Sequence, residues 1–184
     1  MSRYFPHTAY AEDQPLSRTI LGIHVLTRGY TTGAVVGLGA IPVRSIFTRL
    51  RGTAAKAPTT SSSAVSLLRT TGTASAVGLG LMGLALAGRM QGREDIEWRD
   101  RAWRLLENPG QLETDDWTYG GAAAGLLAAR VRRGGLGWRG VAGAAGLGSV
   151  VGTVGYMGWR YGVHAGKFPE YVASEKVEVD LGRV

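Results

Sequence analysis

The sequence contains no cysteine. That excludes disulfides, thiolate nucleophiles and cysteine-ligated metals. Histidine is scarce too: only His7, His24 and His164 are present, and none stands in an HxxxH or HExxH spacing. No Walker lysine follows a glycine loop. Gly37-Leu38-Gly39, Gly78-Leu79-Gly80 and Gly146-Leu147-Gly148 each leave the dinucleotide fingerprint incomplete. We therefore expect no catalytic residue, no metal, no cofactor and no small-molecule substrate. Acids are outnumbered, 14 against 21 Lys and Arg, for a net charge of +7. The bases do not gather on one face. They flank apolar runs, so they are expected to set topology and touch anionic lipid rather than nucleic acid.

What the chain does have is glycine, 29 residues of it, concentrated in four apolar stretches near residues 22–43, 70–88, 117–133 and 140–159. Thr70 to Gly88 carries no charge and is fenced by Arg69 and Arg89. Gly140 to Trp159 carries none and is fenced by Arg139 and Arg160. Such runs approach the length of a helix crossing ~30 Å of hydrocarbon at ~1.5 Å per residue. The first stretch needs Arg28 to face protein or snorkel, and the third needs Arg130, Arg132 and Arg133 to reach an interface. The pattern predicts an all-α membrane protein with four glycine-rich transmembrane helices. A polar N-terminal tail (1–21) precedes the four-helix domain (22–165), and a polar C-terminal tail (166–184) follows it.

The loops support the count. The loop from Arg44 to Arg69 holds Arg44, Arg49, Arg51, Lys56 and Arg69 and no acid. The segment from Arg89 to Asp116 holds five arginines and eight acids, and Arg130 to Arg139 holds four arginines and no acid. With four spans the two basic loops share one side, while the acidic loop and both termini share the other, in accord with the rule that basic loops stay untranslocated. Removing any one span would put a basic and the acidic loop together. The start of the chain has neither a secretory h-region nor the acid-poor amphipathic pattern of a cleavable presequence.

In lipid, helices associate by close packing of small residues at every fourth position. Gly29, Gly33 and Gly37 form such a row on the first span and Gly72, Ala76 and Gly80 on the second. Gly121 and Gly125 supply the third, and Ala144, Gly148 and Gly152 the fourth. Tyr30, Trp117, Tyr119, Trp138, Trp159 and Tyr161 lie near span ends, where interfacial aromatics belong. Asp115 and Asp116 are expected to cap the third span. Arg44, Arg49, Arg51, Arg130, Arg132, Arg133 and Arg139 are candidate headgroup contacts, with cardiolipin among the phospholipids considered. In the acidic loop, residues 94–106 predict an amphipathic helix with Trp98, Ala102, Leu105 and Leu106 on one face, stopped by Asn108-Pro109-Gly110. That face is expected to dock on a partner or headgroups, or on the chain's own loops.

Two resemblances follow from particular residues. Glu113, six residues, Gly120-Gly121, three residues, Gly125 is similar to the second half of the signature of the mitochondrial inner-membrane translocase family. That signature places Asp where Glu113 stands and Arg where Pro109 stands. The opening Ser2-Arg3-Tyr4-Phe5-Pro6-His7-Thr8-Ala9-Tyr10, the run Leu26 to Gly33, and Asp116-Trp117-Thr118-Tyr119-Gly120-Gly121 resemble fungal NUXM-type accessory subunits of the membrane arm of respiratory complex I. The second resemblance implies a non-catalytic, multi-pass subunit of the mitochondrial inner membrane. Its termini would lie in the intermembrane space and the loops near 44–69 and 130–139 in the matrix. Its partners would be other membrane-arm subunits and lipid. The first implies the alternative, a translocase or channel component.

Overall fold

A computed structural model describes residues 4–51, 60–132 and 135–167. It is all-helical, with no strand among the described residues. Five helices run in order: α1 (Ser17–Leu50), α2 (Thr60–Met90), α3 (Asp95–Glu107), α4 (Pro109–Val131) and α5 (Gly137–Met157). A π-helical turn, Gly158–Val163, continues α5. α1 packs along α2 and α4 along α5 as two hairpins, and α2 joins them by packing on α5. The start of α1, the end of α2, α3 and the start of α4 meet at one end of the bundle. The ends of α1 and α4 and the starts of α2 and α5 lie at the other. The middle of the first basic loop (including Lys56), Arg133 and most of the C-terminal tail fall outside the described residues.

Among the described residues two helical stretches are long and apolar enough to cross a membrane, Ser63–Met90 and Gly137–Val163. α1 and α4 do not meet that test. α1 carries Arg18, Arg28, Arg44 and Arg49, and α4 carries Glu113, Asp115, Asp116 and Arg130.

All four long helices begin earlier than the apolar runs, and α1 and α2 also outrun them at the far end. A charge marks where hydrocarbon would end, not where a helix must. α2 continues back through Arg69 to Thr60. α4 begins at Pro109, because Asn108 accepts the Gln111 amide hydrogen at 3.1 Å and Pro109 is pre-set for the first helical turn. Asn108-Pro109-Gly110 thus ends α3 and starts α4 at once. Replacing Asn108 with alanine is expected to lower stability by about 1 kcal/mol, read as a shift in the thermal midpoint of the purified protein.

α3 forms where its amphipathic pattern predicts. The Glu94 amide donates to the Glu97 carboxylate at 3.1 Å, and the pairs Asp95–Arg99 (2.8 Å) and Asp100–Arg104 (3.0 Å) span single turns. Its apolar face is largely consumed inside the chain. Ala102 and Leu106 are buried against Ile20 of α1, with Phe5 packed over them. The N-terminal segment is therefore not a free tail. Gln14 is buried and its amide donates to the Pro6 carbonyl (2.8 Å). The Trp103 indole donates to the Thr8 carbonyl (2.9 Å), and His7 stacks on the same ring. Arg99 also donates to the Glu12 carbonyl.

The interior of the bundle is built of small residues: Gly33, Ala34, Gly37, Thr71, Ser75, Thr118, Gly143 to Gly146, Ser149 and Gly152. The large aliphatic side chains point outward. Val36, Val77, Leu81, Leu84 (72% exposed), Leu127, Val151 and Val154 all lie on the outer surface. Only 17% of the apolar window of α2 is buried.

Candidate functional site

The tightest places are backbone contacts at glycine. A Cβ added at Gly29 would meet the Gly78 carbonyl and Met82. At Gly33 it would meet the backbone of Ala74 and Ser75, and at Gly37 Thr71, each under 3.0 Å. The row read from the sequence on α1 is therefore a contact ridge. Its counterpart on α2 is Thr71, Ala74, Gly78 and Met82 rather than Gly72, Ala76 and Gly80. Gly80 has nothing within 4 Å and Ala76 is exposed. The reason is that α2 is shared: one face meets α1, and another sets Gly72 against the Arg139 carbonyl and Gly143. A strict four-residue row also drifts around a helix of 3.6 residues per turn, so it cannot follow one neighbour while serving two.

α4 and α5 interlock the same way. Gly121 faces Gly148 and Gly152, Gly125 faces Ala144 and Ala145, and Gly152 also faces the Trp117 carbonyl. Gly143 lies against the Leu68 carbonyl of α2, and Gly146 sits between Ser75 and Ala34, where α1, α2 and α5 meet. At Gly121, Gly125, Gly143 and Gly152 a methyl group would displace backbone, whereas at Gly146 it would meet the side chains of Ser75 and Ala34.

A buried polar layer crosses the bundle near its α3 end. Arg28 donates to Asp115 at 2.7 Å, their side chains 25% and 6% exposed. Gln111 donates to the same carboxylate at 3.1 Å, and His24 stands 3.8 Å from its other oxygen. The Thr27 and Tyr119 hydroxyls bond at 2.6 Å, one turn further in. Hydroxyl pairs continue inward: Thr118 with Thr153 (2.9 Å) and Thr31 with Ser149 (3.3 Å). Tyr30 donates to the Ala142 carbonyl. Tyr30 and Tyr119 thus turn inward instead of serving as interfacial aromatics. Asp115 and Asp116 lie inside α4, and Asp115 caps nothing: it neutralises α1. The cavity beside His24 and Asp115 measures about 10 Å³, at or below the ~10–15 Å³ that one water needs.

A second ion pair closes the far end of α5. Arg160, fully buried in the π-helical turn, donates to Glu113 of α4 and to the Lys167 carbonyl. The Trp159 and Tyr156 rings lie 5.0 and 5.9 Å from its guanidinium carbon. A largely enclosed cation, Arg28, and a fully buried one, Arg160, thus join the helices, each matched to a carboxylate on α4. The sequence pointed to Arg28 and Arg160 only as isolated charges at or within apolar runs. Their partners, 87 and 47 residues away, leave no local signature.

The remaining candidates are dispersed. Arg51, Arg130 and Arg132 are exposed, and Arg139 donates to Thr73 at 2.7 Å. The side chains of Arg44 and Arg49 are outside the description, as is Arg133. Of the four residues predicted on the α3 face, Trp98, beneath Arg18, and Leu105 remain partly open, and Ile96 beside them is exposed. Among the described residues no three His, Asp or Glu side chains converge as a metal set would require.

Residues 10–156, from the N-terminal segment to Tyr156 of α5, match the profile of DUF1757, a family described as proteins of unknown function. The chain belongs to the DUF1757 family. The match takes in both hairpins, α3 and the Arg28–Asp115 pair, and stops short of Arg160. No curated protein and no solved structure matches the chain.

Proposed function

We propose that this DUF1757 chain is a non-catalytic structural subunit that crosses a membrane four times. The observation that carries the reading is the inverted distribution of its side chains. The interior is Gly, Ala, Ser and Thr; the exterior is Leu, Val and Ile. In water such a molecule would leave its largest apolar groups wet and gain little from its core. In lipid the outward aliphatics are at home and close backbone contact holds the helices. The charges that keep α1 and α4 from looking like spans support the reading further, because Arg28 of one meets Asp115 of the other. A paired charge facing the bundle interior is how ionisable groups are carried at membrane depth.

The half-signature shared with inner-membrane translocases has a packing role here. Glu113 holds Arg160, and Gly121 and Gly125 seat α5. The Arg28–Asp115, Thr27–Tyr119 and Thr118–Thr153 bonds close much of the polar layer, while the buried Thr71 and Ser75 hydroxyls have no hydrogen-bond partner among the described residues. These features favour a scaffold over a conduit.

Together with the stretches that resemble fungal membrane-arm subunits, they support our proposal that the chain is an accessory subunit of complex I in the inner mitochondrial membrane. The termini and α3 would face the intermembrane space, and the basic loops the matrix.

Blue-native electrophoresis of gently solubilised mitochondria tests the assignment. The chain should migrate with NADH dehydrogenase activity, and consistent migration apart from that activity would overturn it. Alkaline carbonate should leave the protein in the membrane pellet; release would overturn the four-span reading itself.

A further inference from the structure

A cavity of about 910 Å³ opens between α1, α2 and α3 at the end of the bundle where α3 packs, within the ~300–1,000 Å³ range of ligand sites. Its two halves differ in chemistry. The deep wall is aliphatic: Leu21 and Val25 of α1, Met82 and Leu86 of α2. The outer wall carries Arg89 at the end of α2 and Arg101 and Arg104 on α3, with Glu12, Glu97 and Asp100.

Most of these charges are committed. Glu97 pairs with Arg93 at 3.1 Å and Asp100 with Arg104 at 3.0 Å. Arg89 and Arg101 hold no ion pair or hydrogen bond among the described residues; with Arg93, outside the lining, set against Glu97, the uncommitted charges at the rim are these two cations against Glu12. Arg89 is the last residue but one of the apolar stretch Ser63–Met90. Met82 lies seven residues back along α2, ~10 Å deeper at ~1.5 Å per residue.

We propose that this cavity binds one anionic phospholipid, its phosphate held by Arg89 and Arg101 and an acyl chain laid along Leu86 and Met82 toward Val25. The inference rests on the membrane reading. Charge and depth together carry it. A phosphodiester supplies the anion that two uncommitted guanidiniums lack, and an acyl chain covers the aliphatic wall that descends from them. The site lies at the end opposite the arginine-rich loops and makes α3, which presents no wholly free face, the lid of a headgroup pocket. α3 would hold lipid and protein together: Leu106 and Ala102 face inward, while Arg101 and Leu105 face the cavity.

The test is native mass spectrometry of the full chain in detergent micelles, titrated with phosphatidylglycerol and, separately, phosphatidylcholine. One phosphatidylglycerol should be retained in preference to phosphatidylcholine. R89Q/R101Q should reduce that preference by roughly tenfold. R89K/R101K should keep much of it, and L86W, which fills the aliphatic wall, should weaken both lipids. K167Q, an exposed charge outside the cavity, should change nothing. An unaltered preference in R89Q/R101Q, or an equal loss in K167Q, would overturn the site. So would displacement of the lipid by inorganic phosphate, because the acyl chain would then contribute nothing. Carbonate extraction separates the two levels of inference. Protein that stays in the membrane but retains no phosphatidylglycerol sinks the lipid site alone, whereas protein released by carbonate sinks both.

Discussion

Replacing Asp115 with alanine is expected to destabilise the protein by about 3 kcal/mol, because it takes away the carboxylate that matches the largely enclosed Arg28 guanidinium. Arg28→Ala should cost somewhat less, since Gln111 and His24 remain beside the carboxylate. The informative variant is the double replacement Arg28→Met with Asp115→Leu. Removing both charges and keeping the volume should recover most of the loss, as it does where a buried pair serves specificity more than stability. Thermal unfolding of the purified protein in detergent reads all three. If the double mutant simply sums the singles, the two residues are uncoupled and the pair is not what holds α1 to α4.

Gly143→Val is expected to be at least as damaging as a severe overpacking substitution, which costs about 1–3 kcal/mol and occasionally more. Its Cβ would fall on the Leu68 carbonyl, a backbone group that can yield only if α2 and α5 separate. Gly148→Val should act similarly between α5 and α4, where the obstacle is the Gly121 carbonyl. Gly80→Ala and Gly39→Ala make the contrast. Both positions have nothing within 4 Å, so each should be neutral or gain up to ~1 kcal/mol from better helix propensity. Midpoints from the same melts rank the four. Equal losses at Gly143 and Gly80 would mean that glycine is needed for backbone freedom and not for close approach.

The helical class was legible because glycine-rich apolar runs alternate with charged ones, and α3 because its face repeats on a helical period. The half-signature also located real contacts at Gly121 and Gly125. What escaped the sequence escaped for definite reasons. The acids from Glu113 to Asp116 read as loop because nothing nearby neutralises them; the cations that do lie far along the chain in α1 and after α5. The ridge of α1 was readable since it serves one partner. The ridge of α2 was not, because it divides between two. The N-terminal segment carries no periodicity at all. Its order comes from a buried glutamine amide and one indole, which composition describes only as polar.

The Arg28–Asp115 bond also constrains how the molecule can be made. The cation precedes its counter-charge by 87 residues, so on the proposed four-span reading a nascent first hairpin entering lipid alone would carry an unmatched guanidinium. Neither hairpin would then be a finished unit of biogenesis: the first would gain its counter-charge only once α4 is made, and a chain truncated after α3 would lack it altogether.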